Sequence, residues 1–129
     1  MLLYAAAGKK LDPEKHHIAL RLLREERLAV STQVIGEFYH NARRKFAKEL
    51  SIAEAHAWVD ALCDLKKVDV DLALIRSAMF IAERYKVAFW DAALIAACER
   101  VDAPILYTED LSHGQKYGSV AVINPFQAA

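Results

Sequence analysis

Two acidic side chains lie in parts of the sequence where a carboxylate needs an explanation. Asp91 stands within an otherwise apolar segment, FWDAALIAA. At helical spacing it shares one face with Leu94, Ile95 and Cys98, and this face is expected to point towards the core. A carboxylate buried there is costly unless it meets a cation, a metal ion or hydrogen-bond donors. An acid in the first turn of a helix is also stabilised by the helix dipole, so Asp91 alone leaves both explanations open.

The second acid follows a short apolar run. PILY, at residues 104–107, predicts a buried strand that ends in Thr108, Glu109 and Asp110. In open α/β sheets, ligands bind beyond the carboxyl ends of the strands. We therefore expect Asp91, at a helix start, and Asp110, at a strand end, to converge on one crevice.

A third acid, Glu37, lies about a helical turn beyond another predicted strand. LAVS, at residues 28–31, is rich enough in apolar residues to form a buried strand, and Ser31 can cap the helix that follows. The alternative for Glu37 is a partly solvated residue on the flank of that helix, paired with Asn41 or Arg44. Its position alone favours this structural alternative.

Considered together, the three carboxylates predict metal-dependent chemistry on phosphodiesters. Hard oxygen ligands of this kind suit Mg²⁺ or Mn²⁺, and ions held by Glu37, Asp91 and Asp110 would activate water and neutralise a leaving phosphate oxygen. Arg43 and Arg44 belong to the most concentrated basic run in the chain and could hold a nucleic-acid backbone near the metal. The alternative for the run is a solvated helix face.

The elements that must position these residues alternate along the chain. We expect a turn at Gly8 and a loop over residues 111–119. Predicted helices cover residues 13–26, 33–47 and 72–86, another begins at Ser51, and residues 87–90 lead into the helix that carries Asp91. Predicted strands cover residues 28–31, 68–70, 104–107 and 120–123. This alternation argues for an α/β fold with a mostly parallel sheet flanked by helices.

Length and composition point to one domain over residues 1–129, since 55% of the residues are hydrophobic and can form a proper core. Equal numbers of acidic and basic residues, 17 each, mean that nucleic-acid binding must come from a local patch. Cys63 and Cys98 lack zinc spacing and are expected to be buried thiols in a reducing, cytoplasmic compartment. No apolar run approaches the roughly 20 residues of a membrane span.

The order of these features resembles the PIN-domain family of small ribonucleases, and in particular the VapC-type toxins of toxin–antitoxin pairs. The resemblance covers nearly the whole chain. It is carried by LLYAA at 2–6, LAVSTQVIGEFYHNARRK at 28–45, ERYKVAFWDAALIAA at 83–97, LYTEDLSHGQ at 106–115 and VINPF at 122–126.

The resemblance implies a three-layer α/β fold whose parallel sheet has the family order 3-2-1-4-5. It also implies four acidic residues around one or two divalent metal ions beyond the strand ends. By motif, Glu37 matches the second acid of the family, Asp91 the third and Asp110 the fourth. Thr108 matches the hydroxyl residue two positions before the last acid.

The family's first acid belongs to a DTN motif directly before the segment that LLYA matches, on the central first strand. Met1 stands where family members often have the Val of DTNVLLYA, directly after this motif. We therefore expect that Met1 is not the biological start and that the intact protein carries several more residues ending in Asp-Thr-Asn. Without that strand, LAVS and VDV should stay on one side of the sheet, and ILYT and VAVI on the other.

The leading prediction is thus a magnesium-dependent endoribonuclease of the toxin class, which uses Glu37, Asp91 and Asp110 to hold metal and Arg43 or Arg44 to position phosphate. The resemblance implies an RNA substrate, a cognate antitoxin laid into the acidic groove, and a homodimer. The alternative is a non-catalytic binding module, or an inactive truncated form, that binds a partner protein or RNA through the same groove.

Overall fold

The computed structural model describes residues 2–127, and the chain divides after Lys67 into two compact units. The first unit consists of α1 (Leu2–Leu11), α2 (Pro13–Glu25), β1 (Ala29–Ser31), α3 (Thr32–Arg44), α4 (Ile52–Leu62) and β2 (Lys66–Val68), whose last residue lies past the boundary. The second consists of α5 (Leu72–Tyr85), α6 (Phe89–Arg100), β3 (Ile105–Tyr107), β4 (Lys116–Tyr117) and β5 (Val120–Ile123). The predicted α/β class is confirmed, and the single-domain expectation stays a prediction.

Helices α1 and α2 form a tight hairpin, and the turn expected at Gly8 is wrong. Gly8 lies inside α1, where an added Cβ would be 3.2 Å from the Cβ of His16 on α2. The glycine therefore allows a close helix contact, because it has no side chain at the point of approach. The His16 ring also bonds α1 directly, since its Nδ1 lies 2.8 Å from the Tyr4 carbonyl oxygen.

Side-chain caps fix the starts of four helices in the positions that the sequence predicts or allows. Asp12 caps α2, Ser31 caps α3 and Asp71 caps α5, each by accepting a backbone N–H from three residues ahead. The capping box of α4 is confirmed: Ser51 accepts from the Glu54 N–H, and the Glu54 carboxylate accepts from the Ser51 N–H.

Each unit has its own apolar core. The first is built from α1, α3, α4 and the turn before α4, with the buried side chains of Leu2, Phe38, Ala42, Leu50, Ala55 and Leu62. The second is built around the α5–α6 hairpin and the strands, with Leu74, Ala78, Ile81, Ala92, Ala93, Ile95, Ala96, Ala97, Tyr117, Val120 and Val122 among its buried residues.

The described strands form two sheets rather than one. β1 pairs with β2, and a three-stranded sheet has the order β3-β5-β4. β3 and β5 are parallel, with Leu106 opposite Val122, whereas β4 and β5 are antiparallel. The expected pairing of LAVS with the strand before α5, and of ILYT with VAVI, is therefore confirmed.

Two strand predictions need correction. The strand expected at residues 68–70 covers Lys66–Val68 instead. It ends at Val68 because the chain turns at Asp69 to bring Asp71 to the start of α5. The segment expected to be a loop, 111–119, contains β4, and its Gly118 adopts φ +63° in the tight turn to β5. A strand of only two residues, such as β4, is too short to show the alternation of apolar and polar residues by which strands are predicted.

Candidate active site

Asp91 lies in the first turn of α6, and its side chain is partly exposed. The residue before the helix, Ala88, provides no side-chain cap, and an acid at this point lies near the positive end of the helix dipole. The first-turn explanation for Asp91 therefore has direct geometric support. The same geometry presents the carboxylate at the end of the helix rather than in the core.

The expected burial of the Asp91 face of α6 is confirmed at Ile95 but not along the whole face. Asp91, Leu94 and Cys98 are only partly buried, whereas Ile95 lies fully in the core together with an alanine face. The reason is that the small alanine side chains let α6 pack closely against α5, and the resulting dispersion contacts stabilise this packing. The buried alanines are Ala92, Ala93, Ala96 and Ala97.

Asp110 follows β3 in a turn that Thr108 organises. The Thr108 N–H donates to the carbonyl oxygen of Ile123 at 3.1 Å, which continues the β3–β5 pairing by one residue. The Thr108 hydroxyl then accepts the Asp110 N–H at 3.1 Å. Such a hydroxyl-to-backbone bond over two residues fixes the turn, so the exposed Asp110 side chain is held just beyond the strand end.

Residues beyond Asp110 fold back onto the end of β5. The Asn124 N–H donates to His113 Nδ1 at 3.0 Å, and the Gly114 N–H donates to the Val122 carbonyl at 2.8 Å. His113 therefore acts as a backbone acceptor with the proton on its other ring nitrogen. These bonds anchor both ends of the loop that carries Asp110.

Glu37 lies on the exposed side of α3 in the first unit. Its carboxylate accepts a hydrogen bond of 3.1 Å from Gln33 Nε2, one turn earlier on the same helix. The structural alternative predicted Asn41 or Arg44 as partner, and the observed partner is instead Gln33. Glu37 is thus solvent-accessible and oriented by its own helix, which suits either a surface acid or a metal ligand.

Arg43 and Arg44 occupy the last turn of α3, where Arg43 is partly exposed and Arg44 is exposed. Cations at a helix C-terminus interact favourably with its dipole, so this position has a structural advantage of its own. It also leaves both guanidinium groups accessible to a phosphate.

The three acids divide between the units: Glu37 belongs to the first, and Asp91 and Asp110 belong to the second. Within residues 2–127, no group of three or more His, Cys, Asp or Glu side chains is arranged to hold a metal ion. The described side chains thus do not form a ready metal site, although carboxylate oxygens are the right donors for magnesium. The predicted metal ligands stay a prediction.

Sequence reasoning missed an ion pair that links the two helices of the second unit. Arg100, in the last turn of α6, donates from both terminal nitrogens to Asp71 at 2.8 and 2.9 Å and also to the Asp69 carbonyl. The bonds from Arg100, with that from the Leu74 N–H, lower the pKa of Asp71 to about 2. Asp71 was detectable as a helix cap, but a partner 29 residues away gives no local signal.

The cysteines differ in environment. Cys63 is exposed, contrary to expectation, while Cys98 is partly buried. Burial and the nearby Glu99 carboxylate raise the pKa of the Cys98 thiol to about 11, so it stays protonated at neutral pH and is a poor nucleophile. Cys98 is therefore not a candidate nucleophile.

The comparisons place the fold among known proteins. The α/β architecture places acids at a helix start and beyond a strand end, where such sheets bind ligands. A model of the PIN domain matches residues 2–117, and the chain belongs to this family. PIN domains are generally nucleases and typically use divalent metal ions. Comparison with curated proteins gives no significant match.

Among the described residues, no helix is long and apolar enough to cross a membrane.

Proposed function

We propose that this chain is a metal-dependent endoribonuclease and the toxin of a toxin–antitoxin pair. The observation that carries the proposal is the PIN-domain match over residues 2–117, because all three candidate acids lie inside it. By resemblance, Glu37, Asp91 and Asp110 match the family's second, third and fourth acids, and their carboxylates are hard oxygen donors. Their exposure or partial exposure supports access by a hydrated ion and a phosphodiester.

In this proposal the three carboxylates are the ligands of Mg²⁺ or Mn²⁺. A bound ion would supply an activated water and neutralise charge on the phosphate oxygens. The chain's own contribution is positioning: the Thr108 hydroxyl holds the turn that presents Asp110, and the Gln33 amide orients Glu37. Arg43 or Arg44 binds phosphate of the RNA, for which an accessible guanidinium is well suited.

Cleavage of RNA in the presence and absence of magnesium tests this function. The purified chain is incubated with a mixture of structured and unstructured RNAs, with magnesium, with manganese and with a chelator. We expect cleavage with either metal and none with the chelator. The same rate of cleavage in the chelator would contradict a metal-dependent mechanism, and a catalytically dead Asp110→Asn preparation excludes contaminating ribonuclease.

The alternative function is a non-catalytic binding module that uses the same surface. It is favoured by one observation: the described residues contain no three-ligand group for a metal. Magnesium-dependent stability separates the two functions, because an ion that binds only the folded state raises the free energy of unfolding by about 2.7 kcal/mol at a hundredfold excess over Kd. A higher melting temperature in millimolar magnesium supports the enzyme, and an unchanged one supports the binding module.

A protein antitoxin is the proposed partner, acting in the cytoplasm, where the free thiols of Cys63 and Cys98 would remain reduced. The candidate acids Asp91 and Asp110 would favour a basic segment as the bound part of that protein. Inhibition of RNA cleavage by the cognate protein, and relief of inhibition by charge-reversing its basic residues, would be the expected results. Inhibition that is unchanged when those basic residues are charge-reversed would contradict this mode of binding.

A further inference from the structure

Trp90, in the first turn of α6, is a large aromatic side chain at the surface. It is 55% exposed, although tryptophan side chains are highly buried on average. The other tryptophan of the chain, Trp58, is half-buried and packs against the core of the first unit. Exposed tryptophans are enriched where a protein contacts another molecule, so Trp90 is a candidate contact residue.

The Trp90 ring is oriented by the residue before it. The ring centroids of Phe89 and Trp90 are 4.8 Å apart and the ring planes meet at 78°, a perpendicular arrangement that aromatic pairs favour. Phe89 is half-buried and packs against the apolar core of the second unit. The indole is therefore held in place before a ligand arrives, which lowers the entropy cost of a contact with it.

Trp90 directly precedes Asp91, the candidate metal ligand, in the same helical turn. Side chains at adjacent helical positions diverge rather than face each other. The start of α6 thus offers separate places for a phosphate at Asp91 and for a flat group on the indole. These two places suit the phosphate and the base of neighbouring parts of one RNA strand.

Basic residues lie at the corner between α5 and α6. Lys86 ends α5 with φ +56°, Arg84 stands in the last turn of α5, and both are exposed. Residues 68–129 contain five Lys and Arg in all, and these two lie within seven residues of Asp91.

Cations interleaved with aromatic side chains are typical of sites for single-stranded nucleic acids, where the cations hold the backbone and the rings hold the bases. Lysine and aspartate are depleted at protein–protein interfaces. The residues around Trp90 therefore favour RNA over a protein as the molecule that covers the indole.

We propose that Trp90 stacks on a base beside the scissile phosphate and thereby selects RNA in which that base is unpaired. The proposal rests on the proposed RNA cleavage at Asp91 and adds which part of the RNA is recognised. In a duplex the faces of a base are covered by its neighbours, so the base cannot reach the indole. Every base has a face that can stack, so Trp90 discriminates unpaired from paired RNA rather than one sequence from another.

Tryptophan fluorescence tests the contact without requiring cleavage. A short single-stranded RNA is titrated into the chain in magnesium and in chelator, because stacking of a base quenches indole emission. We expect quenching in the unaltered chain and in Trp58→Phe, and none in Trp90→Leu. Circular dichroism verifies that each variant keeps its helices. A duplex, and a strand of the same length without bases, should leave the emission unchanged.

The absence of Trp90 quenching by single-stranded RNA in both conditions would overturn the proposal and favour a protein partner for this surface. Equal quenching by the strand without bases would also overturn it.

Cleavage rates test the role of the contact in substrate selection. With a single-stranded RNA that has one cleavage site, Trp90→Leu should lower kcat/KM by about 5- to 150-fold, the range for losing one stacked base. Trp90→Phe, which keeps an aromatic ring, should lose less. The matched control is Phe80→Leu at an 80% exposed aromatic of α5, which should cleave like the unaltered chain.

An abasic nucleotide beside the cleaved bond gives the decisive comparison. It should slow cleavage by the unaltered chain about as much as Trp90→Leu does, and it should slow Trp90→Leu no further, because both changes remove the same contact. Independent, additive effects would overturn the proposal, and so would an unchanged kcat/KM in Trp90→Leu, while RNA cleavage itself would stand. Quenching of Trp90 by a chain that cleaves no RNA would instead contradict the proposed function and support the base contact.

Discussion

At the scale of single residues, the candidate site depends on small polar contacts that orient exposed acids. The Thr108 hydroxyl and the Gln33 amide each hold a neighbouring acid or its backbone within one turn of chain. Neither contact buries the acid, so both acids stay accessible. The types and positions of the acids were predictable from the sequence, because they follow strands and helix starts. Their partners were not, since several polar neighbours were equally close along the chain.

Thr108 provides a specific prediction about the turn at Asp110. Thr108→Val keeps the shape of the side chain and removes the acceptor for the Asp110 N–H, whereas Thr108→Ser keeps the acceptor. Loss of a contact that orients a functional ligand typically costs about 10- to 100-fold in activity. We expect the valine variant to lose RNA cleavage in this range and the serine variant to retain it. Equal activity of the two variants would show that the hydroxyl does not position Asp110.

Ser31 is a residue whose role is structural. Its side chain is buried and accepts the Val34 N–H at 3.2 Å at the start of α3, the helix that carries Glu37. Ser31→Ala should lower the free energy of unfolding by about 1 kcal/mol, the usual cost of losing a helix cap. Urea denaturation measures the effect, with exposed Ser119→Ala as control. A loss no larger than that of the control would contradict the capping role.

At the scale of elements, local signals were predictable and packing partners were not. The caps at Asp12, Ser31 and Ser51 lie within a few residues of the helices they begin, so the sequence contains the whole interaction. Which face of α6 is buried depends instead on how α5 lies against it. Residues 91, 94, 95 and 98 have the regular apolar spacing, but the alanine face allows the closer approach.

That close approach predicts how the α5–α6 contact responds to added volume. Ala78 on α5 is 0% exposed, whereas Ala73 on the same helix is exposed. Ala78→Leu should lower the free energy of unfolding by about 1–3 kcal/mol, because extra methyl groups in a filled core force side chains and backbone apart. Ala73→Leu is the matched control and should change stability little. Similar results for both would show that the hairpin has room at Ala78.

The Asp71–Arg100 pair connects the start of α5 to the end of α6, and its charge gives a pH dependence. Since the folded-state pKa of Asp71 is lowered to about 2, its stabilising contribution is fully present above the ordinary carboxyl value of 3.8 and is lost as pH falls through about 2. Arg100→Gln should therefore lower stability at neutral pH, with the difference from the unaltered chain shrinking in acid.

Carbon NMR of the Asp71 carboxyl measures this most cleanly. We expect its titration midpoint near 2 in the unaltered chain and a clear rise in Arg100→Gln, while the Leu74 N–H bond keeps it from rising fully to 3.8. A midpoint that does not move on loss of the guanidinium would contradict the assigned cause.

At the scale of the whole molecule, the formal net charge is zero, but the charges are distributed unevenly between the two units. Residues 1–67 carry twelve Lys and Arg against nine Asp and Glu, whereas residues 68–129 carry five against eight. The candidate phosphate-binding arginines lie in the basic unit, and two of the three candidate acids lie in the acidic one. Net charge alone could not predict this, because the boundary after Lys67 is a property of the folded chain.

This separation predicts that RNA binding is electrostatic and centred on the first unit. Arg43→Gln and Arg44→Gln should each weaken binding similarly across RNA sequences. Each should reduce the slope of log K against log salt by about 1, the expected effect of losing one phosphate contact. Lys116→Gln, an exposed cation of the acidic unit, is the control and should leave the slope unchanged. Equal changes of the salt slope for the three substitutions would contradict RNA binding centred on the first unit.

The central claim is that carboxylates at the family's motif positions carry out metal-dependent RNA cleavage. The most direct test is the magnesium-dependent cleavage rate of Asp91→Asn, beside Asp102→Asn as a control acid in the same unit. Removing the charge of a metal ligand while keeping its shape should abolish cleavage and leave the fold intact, and the control should cleave at the rate of the unaltered chain. Magnesium-dependent cleavage that persists undiminished in Asp91→Asn would contradict the account.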